Sequence, residues 1–384
     1  MYVGLDVHKK YAWATVLDED GNIVQEKRFS CTGKELMDFV SSLSMGDKVV
    51  MEASSTWTHI YDLIDGRGIE VLLAHPLQTK AIASARIKTD RISAKTLAQL
   101  LRANLVPTAY VPSKEIRELR SITRFRAGLV KLQTQLKNTV HALLARNGIE
   151  HEFSDLFGKC GMEFLLNLQF SLSKVDWTIL LSSMSALVHI STEIDKISKH
   201  IATLAKEREE VKLLMTIPGI DYYSATLIVA EIADIKRFPS YKQLCSWAGL
   251  VPSIHQSGNT RRYGKITKQG SKWLRWILIQ AVQHLVKRPG KLQDFYLRIA
   301  HAKGSKVAKV ATARKLLRII WCMLWRNEPY REEEEKLTWT KYRRMQKRAE
   351  EYSKTMEEIF EEAEELQGWV KGPEAFITGG EKWS

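Results

Sequence analysis

The chain is poor in cysteine, in long apolar runs and, over one long stretch, in acid. Four of its 384 residues are cysteine, Cys31, Cys160, Cys245 and Cys322, and none forms a CxxC pair. That excludes a disulfide framework and a thiolate-type structural zinc site, and it fits a reducing compartment. The longest apolar stretches, such as IIWCMLW at 319–325, fall well short of the ~20 residues a membrane span requires. The opening MYVGLDVHKK has no hydrophobic region of the secretory kind, so a cytoplasmic protein is expected. Between 258 and 318 there is one acid, Asp294, among 16 lysines and arginines. The whole chain carries a formal charge of +14. Such an excess favours a polyanionic partner, DNA or RNA. The tail from 331 to 384 reverses the sign, with 14 acids and 10 bases, and reads as a separate charged helical region.

A length of 384 residues exceeds the usual single domain of roughly 100–150 residues, so several domains are expected. Residues 1–110 alternate between strand and helix patterns. VGLDV, AWATVLD and NIVQEKRF read as strands, KVVME and EVLLA as later strands, and the segments between and after them as helices. Early consecutive strands followed by strand–helix alternation indicate an α/β domain on a mixed sheet. From 111 to 210 the pattern becomes heptad-like. Ile122, Leu129, Leu136 and Leu143 recur at one position; Leu180, Leu187, Ile194 and Ile201 do so in a second run. Apolar seams at this spacing fit an intramolecular helical hairpin, a dimer interface, or two helices of one core. Residues 211–328 are mainly helical, and TIPGI, with Pro218-Gly219 as a tight turn, has the look of a helix–hairpin–helix element in which Gly219 lets backbone amides approach a phosphate.

Chemistry concentrates in two places. Asp6 and Glu52 each close an apolar run that reads as a strand, and Asp90 lies on the helix that follows. Three acids on neighbouring elements of one α/β domain can converge on Mg²⁺ or Mn²⁺. His8 points to the same side of its strand as Asp6. The second place is Ser257, in a polar turn followed by Arg261, Arg262, Lys265, Lys268, Lys272 and Arg275 without an intervening acid. Ser-Gly dipeptides are ordinary surface turns, and an isolated serine hydroxyl is a weak nucleophile. A second basic set, Arg117, Arg120, Arg124, Lys131 and Lys137 with His141, lies around the first heptad run and reads as a nucleic-acid contact.

GLDVHK, VVMEAS, LLAHP, KTDRISAKTLA, LKNTVHALL, TIPGI, WAGLVP, QSG and GKITKQGSKWLR together resemble the transposases of IS110-type insertion sequences, over nearly all of residues 1–325. The resemblance implies a RuvC-like, RNase H-fold domain (1–110), a coiled-coil region (111–210) and a serine-bearing transposase domain (211–328), with the tail at 329–384. It implies a divalent metal at Asp6, Glu52 and Asp90, and a fourth acidic position where this chain has Ser93. It implies that Ser257 attacks a DNA phosphate, near the metal-bound acids, to form a covalent phosphoserine. Gly258 and Gly264 would give the backbone close approach to the strand. Donor and target DNA, a structured guide RNA, and a homodimer or tetramer are the implied partners. Two other readings stand beside it: a RuvC-like metal-dependent nuclease that leaves Ser257 idle, and a non-catalytic nucleic-acid-binding descendant of a transposase.

Overall fold

The computed structural model describes residues 1–53, 56–83, 89–257, 260–352 and 355. They belong to two compact units, Met1–Pro112 and Ser113–Ser384.

The first unit is built on a five-stranded sheet. Its strands are β1 (Tyr2–Val7), β2 (Tyr11–Leu17), β3 (Ile23–Ser30), β4 (Lys48–Glu52) and β5 (Glu70–Ala74), in the order β3-β2-β1-β4-β5. β1, β2 and β3 are antiparallel neighbours, while β4 and β5 run parallel to β1. The mixed sheet expected from the sequence is therefore present. Its helices are α1 (Lys34–Ser42), α2 (Trp57–Asp65), α3 (Pro76–Ile82) and α4 (Asp90–Arg102). Alternation sorts the strand residues between two faces. Val3, Leu5, Val7 and Met51 pack with Leu36, Phe39, Ile60 and Ile64 of α1 and α2. Val50 and Ala74 pack with Leu97 and Leu101 of α4 on the other.

Gly4 sets how closely α4 lies on β1. A Cβ at Gly4 would stand 2.1 Å from the carbonyl oxygen of Ala94 and 2.5 Å from the amide nitrogen of Ala98. Helix backbone thus occupies the space where a side chain would be. Gly4→Ala should force α4 outward and destabilise the first unit by about 1–3 kcal/mol, the usual range for overpacking. A melting curve superimposable on the wild type would contradict this account.

The second unit begins with α5 (Lys114–Arg146), continues through α6 (Lys159–Leu166), and returns along α7 (Lys174–Lys206). α5 and α7 pack against each other, so the helical hairpin within one chain is realised. Leu143, Leu180, Leu187 and Ile201 of the two heptad runs are buried, whereas Phe125 and Leu132 face outward. Next come α8 (Glu209–Met215), α9 (Tyr222–Ile232) and α10 (Tyr241–Trp247). The ribbon of β6 (Pro252–Ser257) and β7 (Thr260–Ile266) follows, and then α11 (Lys272–Leu285), α12 (Lys291–Lys303) and α13 (Ser305–Arg326). Every residue of α9 is buried. That suits a sequence, YYSATLIVAEI, that is mostly apolar on all sides and whose one charge is Glu231.

The turn between α8 and α9 is fixed by packing on its own unit. Gly219 has φ +83°, and its open side faces α11: a Cβ would meet the Ala281 carbonyl oxygen at 3.1 Å and the His284 Cβ at 3.1 Å. Glycine is needed there for the left-handed turn and for that packing on α11. The carbonyls of Met215, Ile217 and Ile220 all accept from the Lys341 ammonium, the latter two at 2.9 and 3.0 Å. Burial pulls the Lys341 pKa down to about 8, against the opposing pull of Asp221, Glu333 and Glu334. Residues 335–352 are helical, Met345 and Thr338 are buried, and Arg348 pairs with Asp195 at 2.7 Å. This part of the charged tail is docked on its own unit; residues 356–384 lie outside the described ones.

Candidate functional site

In the first unit the acids are assembled by strand register and one helix N-terminus. Leu5 sits beside Met51 on the parallel pair β1–β4, which brings Asp6 and Glu52 to neighbouring strand ends. Both share the parity of residues that face α4. Thr89 caps α4 by accepting the Ile92 amide at 3.2 Å, and Asp90 follows in the first turn. A carboxylate there is favoured by the helix dipole. Asp90, Ala94 and Ala98 form one i, i+4 row, so the close approach at Gly4 also brings the Asp90 end of the helix over β1.

The outcome is a cluster of Asp6, His8 and Asp90, in which one ligand atom from each lies within 4.8 Å of the others. His8 Nε2 is 3.2 Å from Asp90 Oδ1 and 3.7 Å from Asp6 Oδ1. It is buried and within ion-pair distance of both acids, yet among the described residues it makes no aligned hydrogen bond. Two carboxylate oxygens and an imidazole nitrogen around one point are a donor set that fits a divalent cation. The expected set was oxygen-only; the structure adds a nitrogen. Glu52, half-buried at the end of β4, does not join the three within that distance. Ser93, also half-buried, lies one turn along α4 from Asp90.

Sequence reasoning missed Tyr11. Its hydroxyl donates to Asp90 Oδ2 at 2.9 Å, and its ring carries the Arg28 guanidinium 4.0 Å above it. The hydrogen bond to Asp90 raises the tyrosine pKa above its ordinary value. The β1–β2 hairpin, closed by His8 N–H donating to the Tyr11 carbonyl, is what brings the ring there. An aromatic directly after HKK is the only signal in the sequence.

In the second unit Ser257 is not in a loop. It ends β6 and pairs with Thr260 across the ribbon, and Gly258 lies outside the described residues. His255 pairs with Arg262 and Gln256 with Arg261. Directly opposed residues share a face, so Ser257, His255, Thr260 and Arg262 are on one side. Arg261, Ile254 and Tyr263 are on the other, where Arg261 lies 5.1 Å over the Tyr263 ring. Ser257 and its ribbon neighbours are exposed, with Tyr263 at 63%. Gly264 provides close approach within the ribbon: a Cβ there would lie 2.4 Å from Ser253 Oγ.

Three expected nucleic-acid contacts have internal partners instead. Arg124 grips buried Glu231 at 2.7 and 2.8 Å. Arg120 donates to the carbonyls of Ala230 and Glu231 at 2.6 and 2.9 Å. Arg275 donates to the carbonyls of Ala248 and Gln269 at 2.9 and 2.7 Å. Their guanidinium groups are thus engaged in hydrogen bonds within the unit, where the sequence reading has them as nucleic-acid contacts. Lys137 covers the Phe157 ring at 4.8 Å, and His141 packs edge-on against the same ring at 5.4 Å. Arg117 is half-buried, whereas Lys131, Arg262, Lys265, Lys268 and Lys272 are exposed.

A DEDD-type IS110 transposase domain matches residues 3–147, and the transposase domain of the IS116/IS110/IS902 family matches residues 211–297. The transposase for insertion sequence element IS1111A of Coxiella burnetii is 28% identical over 342 residues, covering 86% of this chain and 91% of that protein. A probable family 20 transposase of Pseudomonas aeruginosa is 26% identical over 344 residues, 86% of this chain and 98% of its own length. A pilin gene-inverting protein of Moraxella bovis is 36% identical over 121 residues, 31% of this chain and 38% of that protein.

Proposed function

Since the chain belongs to the IS110-type transposases, we propose that it cleaves and rejoins DNA through a covalent phosphoserine at Ser257, assisted by a divalent metal and guided by a structured RNA. The observation that carries the proposal is the Asp6–His8–Asp90 cluster, which lies in the DEDD-type domain at acids that the family resemblance marks as ligands. The sheet order β3-β2-β1-β4-β5 supports an RNase H-like reading of that unit.

In this reading the Ser257 oxygen attacks phosphorus, the phosphodiester bond to the 3′ oxygen breaks, and a 3′ hydroxyl leaves. His255, two residues back on the same face, is the candidate acceptor for the serine proton. Arg262 on that face balances charge on the phosphoryl oxygens. Rejoining reverses the step when a 3′ hydroxyl attacks the phosphoserine. Mg²⁺ or Mn²⁺, held by Asp6 and Asp90 with His8, Glu52 and the Ser93 position around them, would supply charge neutralisation at the phosphate. RNA guidance rests on the family resemblance, with exposed Lys131 and the basic side of α5 as its seat. Paired strand exchange calls for two or four copies of the chain. The gene-inverting relative favours rejoining over simple hydrolysis, because inversion by its nature reseals DNA.

The test combines metal titration with the reaction products. Asp6→Asn and Asp90→Asn should lose Mn²⁺ binding measured by calorimetry and stop strand cleavage, with nucleic-acid affinity little changed. Ser93→Asp should tighten Mn²⁺ binding by restoring a carboxylate beside Asp90. No Mn²⁺ binding by either wild type or Ser93→Asp would overturn the metal assignment. Free nicked ends without protein adduct would favour the nuclease reading.

A further inference from the structure

A second surface of the serine-bearing unit is unassigned. Between α10, the root of the ribbon, and the α12–α13 pair lies a cleft of 1230 Å³. It is larger than the roughly 300–1,000 Å³ of small-molecule pockets. Lys265, Lys268, Lys303, Lys306, Arg314 and Lys315 line it, with no carboxylate among the lining residues. None of these cations has an ion-pair partner among the described residues. The cleft also has an apolar floor from Leu250, Ile266, Val307 and Val310. Two rings border it, each under a cation: Lys315 stands 4.3 Å over Phe295, and Arg318 stands 4.7 Å over Tyr241. Helical spacing explains the arrangement. Positions 307, 310, 314 and 318 form one stripe of α13, while Ala313, Leu316, Leu317 and Ile320 on its other side are buried in the core.

We infer that this cleft seats a short single-stranded segment of DNA, phosphates on the lysine rim and bases on the apolar, aromatic floor. A duplex offers phosphate ridges and would leave the floor uncovered, whereas unstacked bases cover it and stack on rings. Position favours DNA: Pro252 lines the cleft and begins the strand that ends at Ser257, five residues and about 17 Å further along. The inference rests on the proposed function, because it supplies the serine with its strand.

The probes are labelled dT12, rU12 and a 12-base-pair duplex, bound to the full chain and read by fluorescence anisotropy across a salt series. Lys306→Gln with Lys315→Gln should weaken dT12 binding about tenfold and lower its salt slope by about 1.4, since each lost contact on a single strand removes ~0.7. Duplex affinity should stay within about twofold. A bromouracil-substituted dT12 should photo-crosslink to Tyr241 or Phe295 in wild type. Unchanged dT12 binding in the double variant, equal loss for dT12 and duplex, or rU12 binding far tighter than dT12 would each overturn the inference. Adduct formation at Ser257 is measured on the same proteins. An adduct with an idle cleft sinks only this inference, and a strand-binding cleft without any adduct sinks only the serine mechanism.

Discussion

Ser257→Ala should abolish the covalent protein–DNA adduct and all recombination while leaving the fold intact. The hydroxyl stands at the exposed end of β6, and among the described residues it holds no side-chain partner, so its removal should change stability by no more than about 0.5 kcal/mol. The chemical effect is total, because alanine offers no atom to attack phosphorus. Mass mapping decides the matter: the wild type should yield a DNA-linked peptide ending near Ser257, formed with divalent metal and lost in Asp6→Asn. An adduct on Tyr263 would move the nucleophile to the other face of the ribbon. An adduct formed at full rate in Asp6→Asn, Glu52→Gln and Asp90→Asn would divorce the acidic unit from the serine reaction.

The second large effect is structural. Glu231 is 1% exposed and is the sole charge on α9. Its carboxylate takes two hydrogen bonds from Arg124 of α5 and a third, at 2.7 Å, from Ser271, the N-cap of α11. One side chain therefore ties three helices together. Glu231→Ala would leave the Ser271 hydroxyl and the half-exposed Arg124 guanidinium without their acceptor, at a cost of about 3 kcal/mol, the low end for a broken buried pair because water can reach the arginine. For a unit of this size the melting transition should fall by about 10 °C. Replacing both partners, Glu231→Leu with Arg124→Met, should recover most of that loss, since a packed apolar pair needs no counter-charge. A single variant that melts within a degree or two of wild type would remove Glu231 from this role.

Those two sites show what the sequence could and could not disclose. The β1–β5 strands and the α5 and α7 seams were legible because their signal is local: apolar residues at period two or seven. Asp6 and Asp90 are legible as acids able to converge, and His8 as a same-side histidine, but the close approach that brings them together is not, because it is made at Gly4, which has no side chain to announce a contact. The sequence of the β6–β7 ribbon reads as a turn because both of its faces are polar or exposed, so no hydrophobic alternation marks it. In the sequence Arg120, Arg124 and Arg275 read as nucleic-acid contacts, because charge along a chain does not reveal an internal acceptor. Arg124 and Glu231 are 107 positions apart. Tyr11 escaped for the same reason, 79 positions from Asp90.

The docking of Lys341 bears on how this protein can be cut or joined to others. A chain stopped at residue 329 would end just short of Tyr330, whose amide donates to Thr216 Oγ1 at 3.0 Å. It would also lose the ammonium that three converging carbonyls share. Those oxygens would then face one another without a proton between them, at the turn that sets the angle between α8 and α9. A shortened chain should therefore melt below the full one, because buried carbonyls left without a donor are costly. For anyone splicing an effector onto this chain, a border at the change of charge near 330 would cut away the docked helix that begins at residue 335.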